Sequence, residues 1–413
     1  LPITSDQQHF DTIGLNNPRI QTPALDRLAR EGILFERAYC PNPVCSPTRA
    51  SIITGLYPSA HHCWTIGVKL PEDVPTVGDV FQRNGYATAL IGKAHFQPAG
   101  PFDDDKSASV EKYPIVRDLD YWRQFYGPFY GFQHVELNRN HCDEFHVGQH
   151  YAIWMEENGL KDWEQYFVDA PGNKSDRRHT WDLPEEFHYS RWCADRTINA
   201  IERYAGSDQP FFLWSSFMDP HPPYLVPEPW ASMYDPADMQ PGRLVPGELD
   251  AMPPQYGLTQ QDSPDFSAWK ETPFGNHGFN RHCISDAELR KNIAVYYGMI
   301  SQMDHHIGRI LDRLDALGLA ENTLIVFTTD HGHYLGQHGL TAKGAFHYED
   351  GLKVPFIVRH PGRVPAGRRS RRLQSLVDLA PTFLDAAGIE SPGLMQGVSQ
   401  LRSWTDDVAV RDH

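Results

Sequence analysis

Cys45-Ser46-Pro47-Thr48-Arg49 is the stretch with the densest chemistry: a thiol, a proline, and an arginine four residues on, followed by the small and apolar run ASIITGLYP. A nucleophile at this point would sit at a helix N-terminus beside a cation, in a positive field that stabilises its anion. Five residues with three fixed recur by chance, and alone Cys45 reads equally well as a buried structural cysteine. Its company is more selective. Asp6, Lys93, His221, Asp330 and His331 each follow a run that reads as a strand. Ligand sites in open α/β sheets lie outside the carboxyl ends of the strands, so these side chains can converge from distant parts of the chain. Carboxylates, lysines, histidines and one arginine together suit a tetrahedral anionic ester. A divalent ion would polarise an ester oxygen, the cations would stabilise equatorial charge, and a histidine or lysine would protonate the departing alcohol. Taken singly, Asp6 is a turn residue and Asp330 a helix cap.

The elements that must position these residues alternate short β-rich runs with longer helical ones. Thr22-Pro23 opens a helix that Gly32 closes, and ILFERAY (33–39) reads as a strand. A helix spans 46–54, another Thr76 to Asn84, and YATALIG (86–92) is a buried strand carrying Lys93 at its end. FFLWSSF (211–217) is another such strand, leading into MDPHPPY. The longest helix runs from about Asp286 to Leu317, before the strand TLIVFTT (323–329). VPFIVR (354–359) and a helix from Asp378 to Ala387 complete the regular part. The expected fold is α/β, a large mostly parallel central sheet flanked by helices on both faces. About 100–187 and 222–285 the chain is rich in Pro, Trp, Tyr, His and acids with little periodicity, so pocket-forming insertions are expected there. The aromatic stretch from Tyr121 to Trp163 is expected to line a pocket for an organic group or sugar ring.

The Cys45 motif resembles the C-x-P-x-R signature of the type I sulfatases, of the alkaline phosphatase superfamily. Five further segments resemble that family in its order: TSDQQHFDTIG, GKAHF (92–96), MDPHPPY (218–224), TTDHGHYLGQHGL (328–340) and KGAFHYEDGLKVPFIVRHPG (343–362). VDLAPTFLDAAGI (377–389) resembles the helix that follows them. The resemblance implies that Cys45 is converted by a formylglycine-generating enzyme to formylglycine, whose hydrated gem-diol attacks sulfur. It implies one divalent metal ion held by Asp6, Gln7, Asp330 and His331 with the side chain at Cys45. It also implies Arg49 beside the nucleophile, Lys93 and Lys343 on the sulfuryl group, His95 touching the diol, and His221 or Lys343 as general acid. Gln7 stands where many members have a second Asp, and His331 where many have Asn. Two carboxylates and an imidazole lower the case for Ca²⁺ and raise that for Mn²⁺, with Mg²⁺ a third candidate. The same features occur in the related phosphonate monoester hydrolases and phosphodiesterases, so this second reaction stands beside sulfate monoester hydrolysis. A third reading is a binding protein that keeps the fold without conversion of its cysteine.

With 413 residues and a formal charge of −16 spread along the chain, nucleic acid and anionic membrane are excluded as main partners. No apolar run approaches the ~20 residues of a membrane span. LPITSDQQ lacks the parts of a signal peptide and reads as a strand entered midway, which favours the cytoplasm over the periplasm or secretion. Six scattered cysteines do not make a disulfide scaffold, and Cys40 reads as a small core residue. The expected organisation is a catalytic domain over 1–390 and, over 391–413, the start of a small C-terminal sheet subdomain that is largely missing from this chain. The expected substrate is a small organic sulfate ester, since Lys and Arg are sparse in the aromatic stretch; a homo-oligomer stays open.

Overall fold

The runs that read as buried strands assemble into one eight-stranded sheet in the computed structural model, which describes residues 1–98, 108–139, 147–167, 179–268, 281–344 and 346–411. Its strands are β1 (Pro2–Ser5), β2 (Ile33–Phe35), β3 (Ala87–Gly92), β4 (His134–Leu137), β5 (Phe211–Ser216), β6 (Ile325–Thr329), β7 (Phe356–Arg359) and β8 (Arg368–Ser370). Across the sheet they lie in the order β8-β2-β7-β6-β1-β5-β3-β4. Only β7 runs antiparallel to its neighbours. β1 is therefore central, with Thr4 beside Ser216 on one side and Thr328 on the other.

Alternation along the strands divides the core in two. Ile3, Ile91, Leu213 and Phe327 face one layer, which holds Leu28, Trp192, Ile300 and Met303. Leu90, Trp214, Val326 and Phe356 face the other, with Ile52, Phe81, Trp122 and Phe383. The first layer is covered by helices α1 (Pro23–Arg30), α4 (Gln149–Glu157), α5 (Tyr189–Ala205) and α6 (Asp286–Ala316). The second is covered by α2 (Cys45–Thr54), α3 (Val77–Arg83) and α7 (Leu379–Ala386). Burial on both faces explains why these strands are continuous apolar runs.

Three expectations are corrected. ILFERAY is not one strand: Ile33–Phe35 joins the main sheet, while Ala38–Tyr39 pairs with Gln374–Ser375 in a separate ribbon. The aromatic stretch is largely core rather than pocket wall, with Trp122, Phe132 and Tyr151 fully buried and Trp163 nearly so. The segment before residue 187 also contains α4, whose Gln149 to Ile153 are all buried; a helix covered on most faces shows no amphipathic stripe. Cys142 lies outside the described residues. Beyond α7, Trp404 packs against Phe356, and Arg411 makes two 2.6 Å bonds to Asp378, tying residues up to Arg411 back onto the sheet domain. Among the described residues no helix is long and apolar enough to cross a membrane.

Candidate active site

The carboxyl ends of β1, β3, β5 and β6 meet the N-terminus of α2, as parallel strands with their exits at one edge require. Asp6 follows β1 directly, and its amide donates to the Asp219 carbonyl beyond β5 (2.9 Å). Lys93 follows β3, where Gly92 allows the close approach: at φ +108°, a Cβ there would meet the Ser216 carbonyl oxygen at 1.9 Å. Asp330 and His331 follow β6, and Cys45 opens α2.

These side chains form one buried network. The Lys343 ammonium donates to Cys45 Sγ (2.8 Å), His331 Nε2 lies 3.2 Å from the sulfur, and Asp6 Oδ1 lies 3.7 Å from it. Lys93 pairs with Asp6 Oδ2. Arg49, fully buried, donates from Nε to Asp330 Oδ2 (2.8 Å) and from Nη1 to the Lys93 carbonyl (2.9 Å) and Ser216 Oγ (2.8 Å). One guanidinium thus braces three strand ends, a use of its rigid fork that lysine could not match. Lys343 also donates to His221 Nε2 (2.9 Å), while His221 Nδ1–H donates to the Pro222 carbonyl (2.6 Å).

Burial and the Asp6 charge push the Cys45 thiol up, but Lys343 and His331 outweigh them, and its pKa falls below the ordinary cysteine value. Cys40 shows the contrast: burial drives it strongly upward, and its Sγ donates to the Gly351 carbonyl (3.7 Å) with no cation among the described residues beside it to offset the burial. Cys40 is the core residue its sequence suggested. His95 is buried and its ring makes no hydrogen bond to Cys45; Nε2 meets Arg139 Nη2 at 2.7 Å and Nδ1 has no partner among the described residues.

The residues suit a divalent cation. Ligand atoms of Asp6, Cys45, Asp330 and His331 all lie within 4.8 Å of one another. His331 Nδ1–H donates to the Gly332 carbonyl (2.9 Å), which turns Nε2 toward the cluster, where it would ligate a metal once deprotonated. Gln7 joins them through its backbone, whose amide donates to Asp330 Oδ1 (2.9 Å), and its side-chain Oε1 is a buried acceptor without a partner among the described residues. An unpaired buried acceptor costs about 1–3 kcal/mol unless something fills it.

The residues that orient Gln7 carry no signal of their own. Gln7 Nε2 donates to His333 Nδ1 (2.8 Å), whose Nε2–H meets the Tyr224 hydroxyl (2.9 Å) while the ring stacks on Tyr296. Tyr296 in turn donates to the Gln7 carbonyl (2.8 Å). His333 lies inside TTDHGHYLG, two residues after His331, so spacing alone could have drawn attention to it. The large cleft lined by Leu1, Phe211, Leu324 and Phe383 lies at the opposite end of the strands, away from these groups.

The sulfatase family model matches residues 1–389. An arylsulfatase of Clostridium perfringens is 29% identical over 96% of this chain and 76% of its own length. A multifunctional alkaline phosphatase superfamily protein of Trinickia caryophylli is 28% identical over 93% of this chain and 71% of its own. The structure of a phosphonate monoester hydrolase from Silicibacter pomeroyi superposes with a TM-score of 0.77 at 26% identity, covering 100% of this chain and 78% of that one. With a matching fold, a matched family model over nearly its whole length and these relatives, the chain belongs to the sulfatase family, the sulfuric ester hydrolases of the alkaline phosphatase superfamily.

Proposed function

We propose that the chain hydrolyses a sulfate monoester of a small organic alcohol or phenol, with Cys45 as precursor of the nucleophile. The observation that carries this reading is the setting of Cys45: buried at the start of α2, in contact with Lys343 and His331, with Asp6 beyond. Converted to formylglycine and hydrated, position 45 offers two hydroxyls, one forming the ester to sulfur as the alcohol leaves, the other re-forming C=O as sulfate departs. A serine ester has no such exit.

Asp6, Gln7, Asp330 and His331 would hold a divalent ion together with position 45, and the ion would polarise an ester oxygen and lower the pKa of the attacking hydroxyl. Arg49 pairs with Asp330 and holds the strand ends in register. Lys93 and Lys343 face the anionic ester. His221 holds its own proton at Nδ1 and accepts from the Lys343 ammonium at Nε2, so the proton given to the leaving oxygen comes from Lys343, directly or relayed through His221 Nε2.

A second reading, hydrolysis of phosphonate monoesters or phosphodiesters, is favoured by Gln7 and His331 in the ligand set. Sulfate monoesters and these phosphorus esters each carry one negative charge, so one site can take both. Side-by-side turnover of an aryl sulfate and an aryl phosphonate monoester separates the two, and the sulfate is expected to win. Mass analysis of the peptide containing Cys45, from a host able to convert it, is expected to show an aldehyde in place of the thiol. A fully unmodified thiol in active protein would refute the nucleophile.

A further inference from the structure

His95 lies past the end of β3 in a conformation that a histidine rarely adopts, with φ +58°. Two buried groups outside the proposed catalytic set hold it there. The Glu111 carboxylate accepts the amides of His95 (2.8 Å), Phe96 (2.9 Å) and Gln97 (2.8 Å), gathering three successive N–H groups around one anion. Arg139, only 4% exposed, places Nη2 2.7 Å from His95 Nε2.

A guanidinium carries donors only and does not deprotonate in proteins, so the nitrogen it meets must be the bare one. The ring proton then belongs on Nδ1, which is buried and without a partner among the described residues. Burial, with the nearby Arg139, Lys93 and Arg49 cations, keeps the imidazole far below its ordinary pKa and therefore neutral. An unpaired buried N–H costs about 1–3 kcal/mol, a cost that an acceptor arriving beside Lys93 would offset.

We propose that Arg139 and Glu111 are positioning residues that make His95 a fixed, neutral Nδ1–H donor to the bound ester: Glu111 sets its backbone and Arg139 its tautomer. This rests on the hydrolase reading of the site for its kinetic consequence, but not for the tautomer itself.

The two consequences are measured separately. Nitrogen-15 spectra of the full chain labelled at histidine, with His95 assigned by the signals lost in His95→Ala, are expected to show Nδ1 protonated and Nε2 bare. In Arg139→Met the proton is expected to move wholly or partly to Nε2. Protonated Nε2 in the unaltered chain, or an unchanged tautomer in Arg139→Met, overturns the proposal whether or not any ester is turned over. With an aryl sulfate, Arg139→Met is expected to lower kcat roughly 10²-fold, the scale of one lost oxyanion donor, with little change in KM. Combined with His95→Ala it should cause no further loss, because it acts through that ring. Arg139→Lys, which keeps a cationic donor, should recover part of the rate. A loss confined to KM, or full additivity with His95→Ala, would show that Arg139 acts elsewhere. If Arg139→Met fails to fold, the tautomer in the unaltered chain and the Arg139→Lys spectrum still decide.

Discussion

If position 45 carries the proposed nucleophile, one atom there separates a catalyst from a folded shell. Cys45→Ala removes only a buried sulfur, so melting temperature is expected to stay within a few degrees while aryl sulfate turnover disappears; measurable turnover would disprove the assigned nucleophile. His221→Ala should cost about 10²–10⁴ in kcat, the usual contribution of a general acid. The loss should shrink for substrates with better leaving groups, and an unchanged rate with a poor leaving group would remove His221 from that role. His333→Ala releases the Gln7 side chain and should weaken binding of Mn²⁺, titrated into protein stripped with a chelator, about 10–100-fold. Equal affinities would mean that Gln7 needs no such support. At this scale the candidate residues were readable, because Asp6, Lys93 and Asp330 stand directly after apolar strands and His221 follows a few residues beyond one. Arg139, Glu111 and Asp219 were not readable, and His333 showed only through its spacing from His331. They act by holding other groups, and nothing in their own neighbourhoods along the chain tells which partner they hold.

Among the elements, β3 and β5 are held closest where the site is built. Gly92→Ala puts a methyl group 1.9 Å from the Ser216 carbonyl at a backbone angle suited to glycine. The strands must part or shift, and Lys93 moves with them. A loss of about 1–3 kcal/mol or more is expected, with activity falling at temperatures where the protein is still folded; chemical denaturation paired with kinetics checks both. Elements with a simple burial pattern were legible: β1, β3, β5, β6 and α6 lie close to where their patterns put them. Legibility failed where burial was too complete or too brief. α4 is covered on most faces and shows no stripe, and Ala38–Tyr39 changes sheets within three residues of β2. The aromatics from Tyr121 to Trp163 misled for a related reason. Composition says that large rings are present, but only packing decides whether they face a ligand or one another, and Trp122 stacks edge-on with Tyr121, Phe125 and His150.

For the molecule as a whole, acid tolerance should be set by histidines kept neutral inside it. Burial lowers His61 and His150 to about 4 and His188 to about 3, from 6.5. Each accepts a backbone amide at Nδ1, from Cys63, Leu137 and Ser190, which protonation there would break. Their folded pKa values lie below the unfolded ones, so the unfolded chain takes up protons that the folded chain refuses. Stability is complete above about pH 6.5 and falls as pH drops toward 4. Melting curves between pH 7 and 4 should show that decline, and replacing His61 with Gln should flatten part of it; a level profile would contradict it. The complete burial of Cys45 bears on when its proposed conversion can happen. Its partner Lys343 lies 298 residues further along, so at about 5–20 residues per second the ribosome delivers it roughly 15–60 s after Cys45. Until then the pocket has no closing wall and the thiol can lie in an open segment of nascent chain. A modifying enzyme therefore works against a clock set by translation, and a host that makes the chain faster than that enzyme can follow will accumulate well-folded, inactive protein.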